Sequence, residues 1–193
     1  MNHPSNPRRR KFLRAATAVA AGGGLASCGG SKNPWRTLSL DEAEVAAAVC
    51  DRIIPPDELP GAAGAGAVDF LDRQLSGYLK KYREAYRRGL AGINQSARMA
   101  FGQPFAKLAA AQQDEVLKAV EKGKASGEIW KSEPQQAFFA MMVSHTMQSF
   151  YGDPRHGGNR EGAGWRSIGY DLTIVRGRAQ HDLTQIKPVG GKS

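Results

Sequence analysis

Apolar residues recur at steps of three and four over four stretches of the chain, the spacing that places them on one face of a helix. The pattern predicts helices over residues 39–54, 67–95, 111–122 and 132–150. After residue 152 the helical period is lost and turn residues predominate. The sequence therefore predicts an all-α fold, a single irregular bundle of about four main helices with a loop-rich C-terminal arm.

Two of these helices have a recognisable start signal. Ser39 is followed three residues later by Glu42, and Ser132 is followed by Pro134 and Gln135. A serine with Glu or Gln three residues on is the pattern of a capping box, in which each side chain bonds the other residue's backbone N–H. The two serines are therefore predicted to be N-caps.

The second helix is predicted to be long, with Gly77, Gly89 and Gly92 as points where it bends or packs closely. Its apolar stripe runs through Leu75, Tyr78, Tyr82, Tyr86 and Leu90 without a change of period. A stripe of this kind predicts that all five side chains face the core.

The first 27 residues have the pattern of an export signal. Arg9-Arg10-Lys11-Phe12-Leu13 places two arginines one residue before two apolar side chains, as in a twin-arginine signal. A mildly apolar, alanine-rich stretch follows, too short and too rich in glycine for a permanent membrane anchor. We therefore expect Arg9, Arg10, Phe12 and Leu13 to direct the chain to the periplasm by the twin-arginine route.

The signal ends in a segment that matches a bacterial lipobox. Leu25-Ala26-Ser27 precedes Cys28, so cleavage before Cys28 would leave a cysteine that can be lipidated and hold the chain at a membrane surface. The other interpretation is a simple cleavage site with an incidental cysteine. The predicted organisation is thus a signal over residues 1–27, a tether over 28–38 and a helical domain over 39–193.

The charge of the chain does not point to nucleic acid. The net charge is +9, but the first 27 residues contain five basic side chains and no acidic one. The remaining 22 basic side chains are scattered among 18 acidic ones, without the one-sided basic face of a nucleic-acid-binding domain. No apolar run is long enough to span a bilayer, which excludes a polytopic membrane protein.

The sequence lacks the motifs of the common cofactor and nucleophile sites. It contains no GxGxxG, no P-loop, no GxSxG and no CxxC. His145, His156 and Asp153 could form a metal site; the alternative is a core histidine at 145 and a turn histidine at 156. Cys50 is either a buried free thiol or, in an oxidising compartment, a thiol that bridges to another subunit.

An unusual loop follows the fourth helix. Aromatic and turn residues alternate between residues 150 and 165, and such side chains are common in protein interfaces. The loop is either a recognition surface or a cover for the end of the bundle. The candidate partner contacts are Tyr151, Asp153, His156, Asn159 and Trp165.

Several segments between residues 40 and 170 resemble one protein family. The chain is similar to the gluconate 2-dehydrogenase subunit 3 family, the small subunit of membrane-bound, FAD-dependent sugar or sugar-acid dehydrogenases. The residues that carry the resemblance include Asp51-Arg52-Ile53-Ile54-Pro55-Pro56-Asp57, Gly66-Ala67-Val68-Asp69-Phe70-Leu71-Asp72 and Phe150-Tyr151-Gly152-Asp153-Pro154, with Gly158-Asn159 and Gly164-Trp165 beyond.

The resemblance implies a non-catalytic accessory subunit without a cofactor of its own. Its partner would be a large flavoprotein of the glucose-methanol-choline type that holds FAD, often with a multihaem cytochrome c subunit. The small subunit would stabilise this partner and carry the export signal for both. The alternative is an independent periplasmic lipoprotein with a ligand or metal site near His145 and His156. A self-contained periplasmic enzyme is the third hypothesis, and the missing motifs disfavour it.

Overall fold

The computed structural model describes residues 33–170, and within them the fold is all-α, as predicted. No strand occurs in this part of the chain, and none of its helices combines the length and hydropathy needed to cross a bilayer. The helices, separated in places by single 3-10 turns, are α1 (Leu40–Ile53), α2 (Ala67–Ser76), α3 (Arg83–Phe101), α4 (Ala110–Glu121), α5 (Gln135–Tyr151) and the short α6 (Ala163–Ser167).

Helix α1 lies at the centre of the bundle and contacts α2, α3, α4 and α5. Its start is the predicted capping box: Glu42 N–H donates to Ser39 Oγ at 3.2 Å, and Ser39 N–H donates to Glu42 Oε2 at 2.7 Å. Its alanine-rich inner face, which includes Ala46 and Val49, is completely buried. The small side chains allow the four neighbouring helices to approach closely.

The long second helix predicted over residues 67–95 is in fact two helices. Helix α2 ends at Ser76, a 3-10 turn spans Lys80–Tyr82, and α3 begins at Arg83. The backbone N–H of Leu79 turns back to bond the carbonyl of Gln74 at 2.8 Å. Tyr78 is therefore carried out of the apolar stripe and is 88% exposed, which corrects the prediction that it faces the core.

The start of α5 also differs from the prediction. Ser132 lies one residue after a 3-10 turn, and the cap position is Pro134. The side chain of Gln135 bonds the N–H and the carbonyl of Ala125, at 2.8 and 3.0 Å. Because Gln135 is engaged there, the capping box predicted at Ser132 does not form.

A buried carboxylate attaches the N-terminal segment to α2. Asp72 Oδ1 accepts the backbone N–H groups of Thr37 at 2.7 Å and Leu38 at 3.1 Å, and Oδ2 accepts that of Arg36 at 2.9 Å. The Asp72 side chain has almost no exposure to solvent. Residues 36–38, which belong to the predicted tether, are thus part of the folded domain.

The loop after α5 is folded against the end of that helix. Asn159 holds it: Asn159 Nδ2 donates to the carbonyl of Gly152, and Asn159 Oδ1 accepts the N–H of Gly164, both at 2.8 Å. Gly158 and Gly164 lie so close to α5 that a methyl group at either would overlap with the carbonyl oxygen of Ser149 or Phe150. The arm predicted to be loop-rich contains two 3-10 turns and the short α6 between residues 154 and 167, and its residues 171–193 lie outside the described part.

Candidate functional site

An open apolar groove lies between α2 and the C-terminal end of α5, with a volume of about 760 Å³. We call it the α2–α5 groove. Most of its surface is carbon, and no acidic side chain lines it. Its lining residues are Phe70, Gln74, Tyr78, Met147, Gln148, Tyr151, Gly152 and His156.

Large apolar side chains are exposed to solvent in this groove. Tyr78 is 88% exposed, Met147 43% and Tyr151 36%, whereas residues of these types are usually covered. Contiguous exposed apolar side chains on a folded protein typically mark a surface that another molecule covers.

An uncharged surface continues from the groove along α5. None of the 17 residues of this helix is charged, although one side of it faces solvent. The spacing of three and four places the exposed residues on one face. We call this face the uncharged strip of α5, and it consists of Gln136, Ala137, Ala140, Ser144, Met147, Gln148 and Tyr151.

The structure places two of the five predicted contact residues in the groove, namely Tyr151 and His156. Trp165 lies beside it, and its indole Nε1–H donates to the Tyr151 carbonyl at 2.8 Å. Asp153 accepts the N–H of Arg155 at 2.9 Å and pairs with its guanidinium, which lowers the pKa of the Asp153 carboxyl to about 2.

Asn159 is not a contact residue. It has no exposed surface, and its amide bonds two backbone groups of its own loop. The expectation that Asn159 meets a partner is therefore corrected: this residue shapes the loop that presents His156 and Tyr151.

His145 and His156 do not come together with Asp153 as a metal site. His145 is buried in the core, where its Nδ1 lies 2.9 Å from the Tyr86 hydroxyl and its ring stacks on the Tyr86 ring. His156 is exposed in the groove. Within residues 33–170 no three His, Cys, Asp or Glu side chains come together to hold a metal ion. The interpretation of a core histidine at position 145 is confirmed.

Cys50 is a buried free thiol, the first of its two interpretations. Its Sγ lies 3.4 Å from Thr146 Oγ1, inside the contact of α1 with α5. Burial raises the pKa of this thiol to about 12, so it stays protonated. The thiol has no exposed surface, so a bond to another subunit would require the bundle to open.

We expect His145 to make the stability of the domain depend on pH. Burial lowers the pKa of His145 below its usual 6.5, so the unfolded state takes up a proton first as the pH falls. The contribution of the neutral His145 to the free energy of unfolding is complete above pH 6.5 and decreases below it. The free energy of unfolding should fall by at most about 1.4 kcal/mol per pH unit from this cause. Urea unfolding at several pH values should show this slope in the wild type and a smaller one in His145→Gln; equal slopes would contradict the prediction.

The helical fold and the exposed groove are typical of a protein that works by contact with another protein, and comparison with known families is more specific. The family model described as gluconate 2-dehydrogenase subunit 3 matches residues 40–171, more than half of the chain. The chain therefore belongs to the gluconate 2-dehydrogenase subunit 3 family. No curated protein and no solved structure matches it. The matched range includes the whole α2–α5 groove.

Six of the eight lining residues were not among the predicted contacts. Of these, the two large exposed apolar ones are Tyr78, which was assigned to the core, and Met147, which was not singled out. The sequence feature that could have pointed to these groove residues was the absence of charged side chains from α5. An amphipathic helix usually carries charged residues on its solvent face, so an uncharged one either is buried all round or is covered by a partner.

Proposed function

We propose that this chain is the non-catalytic small subunit of a periplasmic or membrane-associated, FAD-dependent sugar or sugar-acid dehydrogenase. It binds the large flavoprotein subunit, which holds the FAD, through the α2–α5 groove and the uncharged strip of α5. A multihaem cytochrome c then accepts the electrons from the flavoprotein. The observation that carries the proposal is an exposed apolar groove in a member of a dehydrogenase-subunit family.

The chemistry of the groove supports a lasting contact with another protein. Stable complexes bury an apolar centre in which a few large side chains supply most of the binding energy, with tyrosine among the commonest. Tyr78 and Tyr151 are such side chains, and Met147 is a flexible apolar one that adapts to a partner surface. The uncharged strip extends this centre towards the area that permanent complexes use.

The test is isolation of the tagged chain from its native host, with the flavin spectrum and the dye-linked oxidation of sugars and sugar acids as readouts. We expect a flavoprotein dehydrogenase to copurify with the wild type. Met147→Lys would place a charge in the groove and should reduce the recovered flavin by about tenfold or more, since truncating a central contact costs at least about 1–2 kcal/mol.

Met99→Lys is the matched control, because Met99 is 61% exposed on α3 and does not line the groove. This variant should recover as much flavin as the wild type, and circular dichroism should show both variants folded. Equal recovery with both variants would exclude the groove as the docking site. A wild type that purifies without any flavoprotein would contradict the proposed function itself.

The proposal includes export of the two subunits together. Arg9 and Arg10 direct the chain to the twin-arginine route, and lipidated Cys28 holds it at the membrane surface. These residues lie outside the described ones.

Two variants test the shared export. Arg9→Lys combined with Arg10→Lys should leave both subunits in the cytoplasm. Cys28→Ser should release both from the membrane fraction into the periplasm. Fractionation followed by immunoblotting distinguishes the two effects, and periplasmic flavoprotein in the double-lysine variant would contradict shared export.

A further inference from the structure

The α2–α5 groove has an apolar floor, and the charges beside it are unevenly distributed. Three carboxylates, Asp69, Asp72 and Asp153, lie within two positions along the chain of a residue that lines the groove. Each of them is already engaged. Asp69 pairs with the guanidinium of Arg160, and Asp153 pairs with that of Arg155. Asp72 is buried and accepts the backbone N–H groups of residues 36–38.

The basic side chains beside the groove are not all engaged. Arg73 and Lys80 also lie within two residues of a lining residue, and both are exposed. Neither of them forms an ion pair with any residue of the described range 33–170. The Arg73 side chain lies against Gly157, the residue that follows the lining residue His156 in the sequence. Asp69 and Asp153 are thus paired with arginines and Asp72 is covered by residues 36–38, whereas Arg73 and Lys80 are exposed and unpaired within the described range, so the exposed unpaired charge next to the groove is positive.

From this arrangement we infer that the groove takes an acidic amphipathic segment of the partner, with large apolar side chains on the floor and carboxylates at Arg73 and Lys80. The inference rests on the proposed function only in taking the partner to be a protein. Complementary charge around an apolar contact determines the orientation of the bound segment. It also excludes basic segments, which a positive rim repels. The exposed rim contacts should be weakened by salt, because the Debye length is about 8 Å at physiological ionic strength and only about 3 Å at 1 M.

Two synthetic peptides test the inference against the full chain. They share one set of leucines and phenylalanines at helical spacing and differ only at the polar positions, which are all glutamate in one and all lysine in the other. We expect the glutamate peptide to bind about tenfold or more tightly than the lysine peptide, and to bind more weakly as salt increases. Equal binding of the two peptides, or binding of neither, would overturn the inference.

Variants locate the effect on the protein. Arg73→Gln combined with Lys80→Gln should remove the preference for the glutamate peptide, whereas Met147→Lys should weaken the binding of both peptides, because it places a charge among the apolar side chains of the floor. Lys107→Gln combined with Lys122→Gln is the matched control, since both lysines are exposed, lie away from the groove and undergo the same change of charge. Loss of the preference in this control, or its retention in the rim variant, would contradict the assignment.

The outcomes separate this inference from the proposed function. If the peptides do not discriminate but the wild type still copurifies a flavoprotein that Met147→Lys loses, the proposed function stands and the acidic chemistry is wrong. If the glutamate peptide binds as expected but no flavoprotein copurifies with the wild type, the groove chemistry stands and the proposed function fails.

Discussion

Replacement of Gly164 by alanine is expected to lower the free energy of unfolding by about 3 kcal/mol or more, at the upper end of the cost of overpacking. A β-carbon at this position would overlap with the carbonyl oxygen of Phe150 in α5. The position of a β-carbon is fixed by the backbone and the carbonyl oxygen is a backbone atom, so no change of rotamer relieves the contact. The loop must move away from the helix, and the two hydrogen bonds of Asn159 are lost with it.

Urea unfolding followed by circular dichroism measures this loss, and Gly102→Ala is the control. Gly102 ends α3 and has a left-handed φ of +73°, but nothing lies within 4 Å of where its β-carbon would be. Alanine there should cost only about 1–2 kcal/mol, the penalty of the left-handed conformation. A loss at Gly164 no larger than that at Gly102 would mean that the loop is not packed against α5 as described. If the groove binds the flavoprotein as proposed, the Gly164 variant should also bind it poorly, because His156 belongs to the displaced loop.

Replacement of Asp72 by alanine should have a comparable effect on the N-terminal segment, residues 36–38. It removes the acceptor of three backbone N–H groups, two of them bonded within 2.9 Å. Bonds to a charged acceptor contribute about 1.5–3 kcal/mol each, and a buried donor without an acceptor costs about 1–3 kcal/mol. Because residues 36–38 can partly turn to water, we expect a net loss of about 3 kcal/mol.

The location of this loss can be measured as well as its size. Limited proteolysis and amide hydrogen exchange should show residues 36–38 opening in Asp72→Ala and remaining closed in the wild type. Asp41→Ala is the control, since Asp41 is an exposed carboxylate in the first turn of α1 and should contribute about 0.3–1 kcal/mol through the helix dipole. Unchanged exchange at residues 36–38 in Asp72→Ala would show that the carboxylate does not hold this segment.

The sequence predicted most of the helices because their apolar period and their end signals agree. The capping box at Ser39 and the prolines after Ile54 bound α1 closely, and the predicted span of α4 was nearly that observed. The break between α2 and α3 could not be predicted from the period, since Leu75, Tyr78 and Tyr82 continue the steps of three and four across it. The turn depends instead on backbone bonds to Gln74, which leave no trace in the apolar pattern.

Only part of the candidate site was predicted, because some of its residues are placed there by backbone turns that the apolar pattern does not show. The loop residues Tyr151 and His156 stood out by composition, and both line the groove. Tyr78 could not be identified until the helix break was known. Asn159 was misassigned because a polar residue in a turn normally faces water. Its backbone has a left-handed φ of +48°, and its amide bonds two groups that only the folded loop brings within reach.

The attachment of residues 36–38 to Asp72 also determines where a mechanical load would enter the fold. Arg36 is the first of these residues from the N-terminal side. Its backbone N–H bonds Asp72 in the middle of α2 and not a residue in the first turn of α1. A pull on the N-terminal end of the chain would therefore be resisted by three bonds to one carboxylate before any force reached the capping box at Ser39. Single-molecule stretching from that end should record this attachment as a separate rupture event that precedes the unravelling of α1.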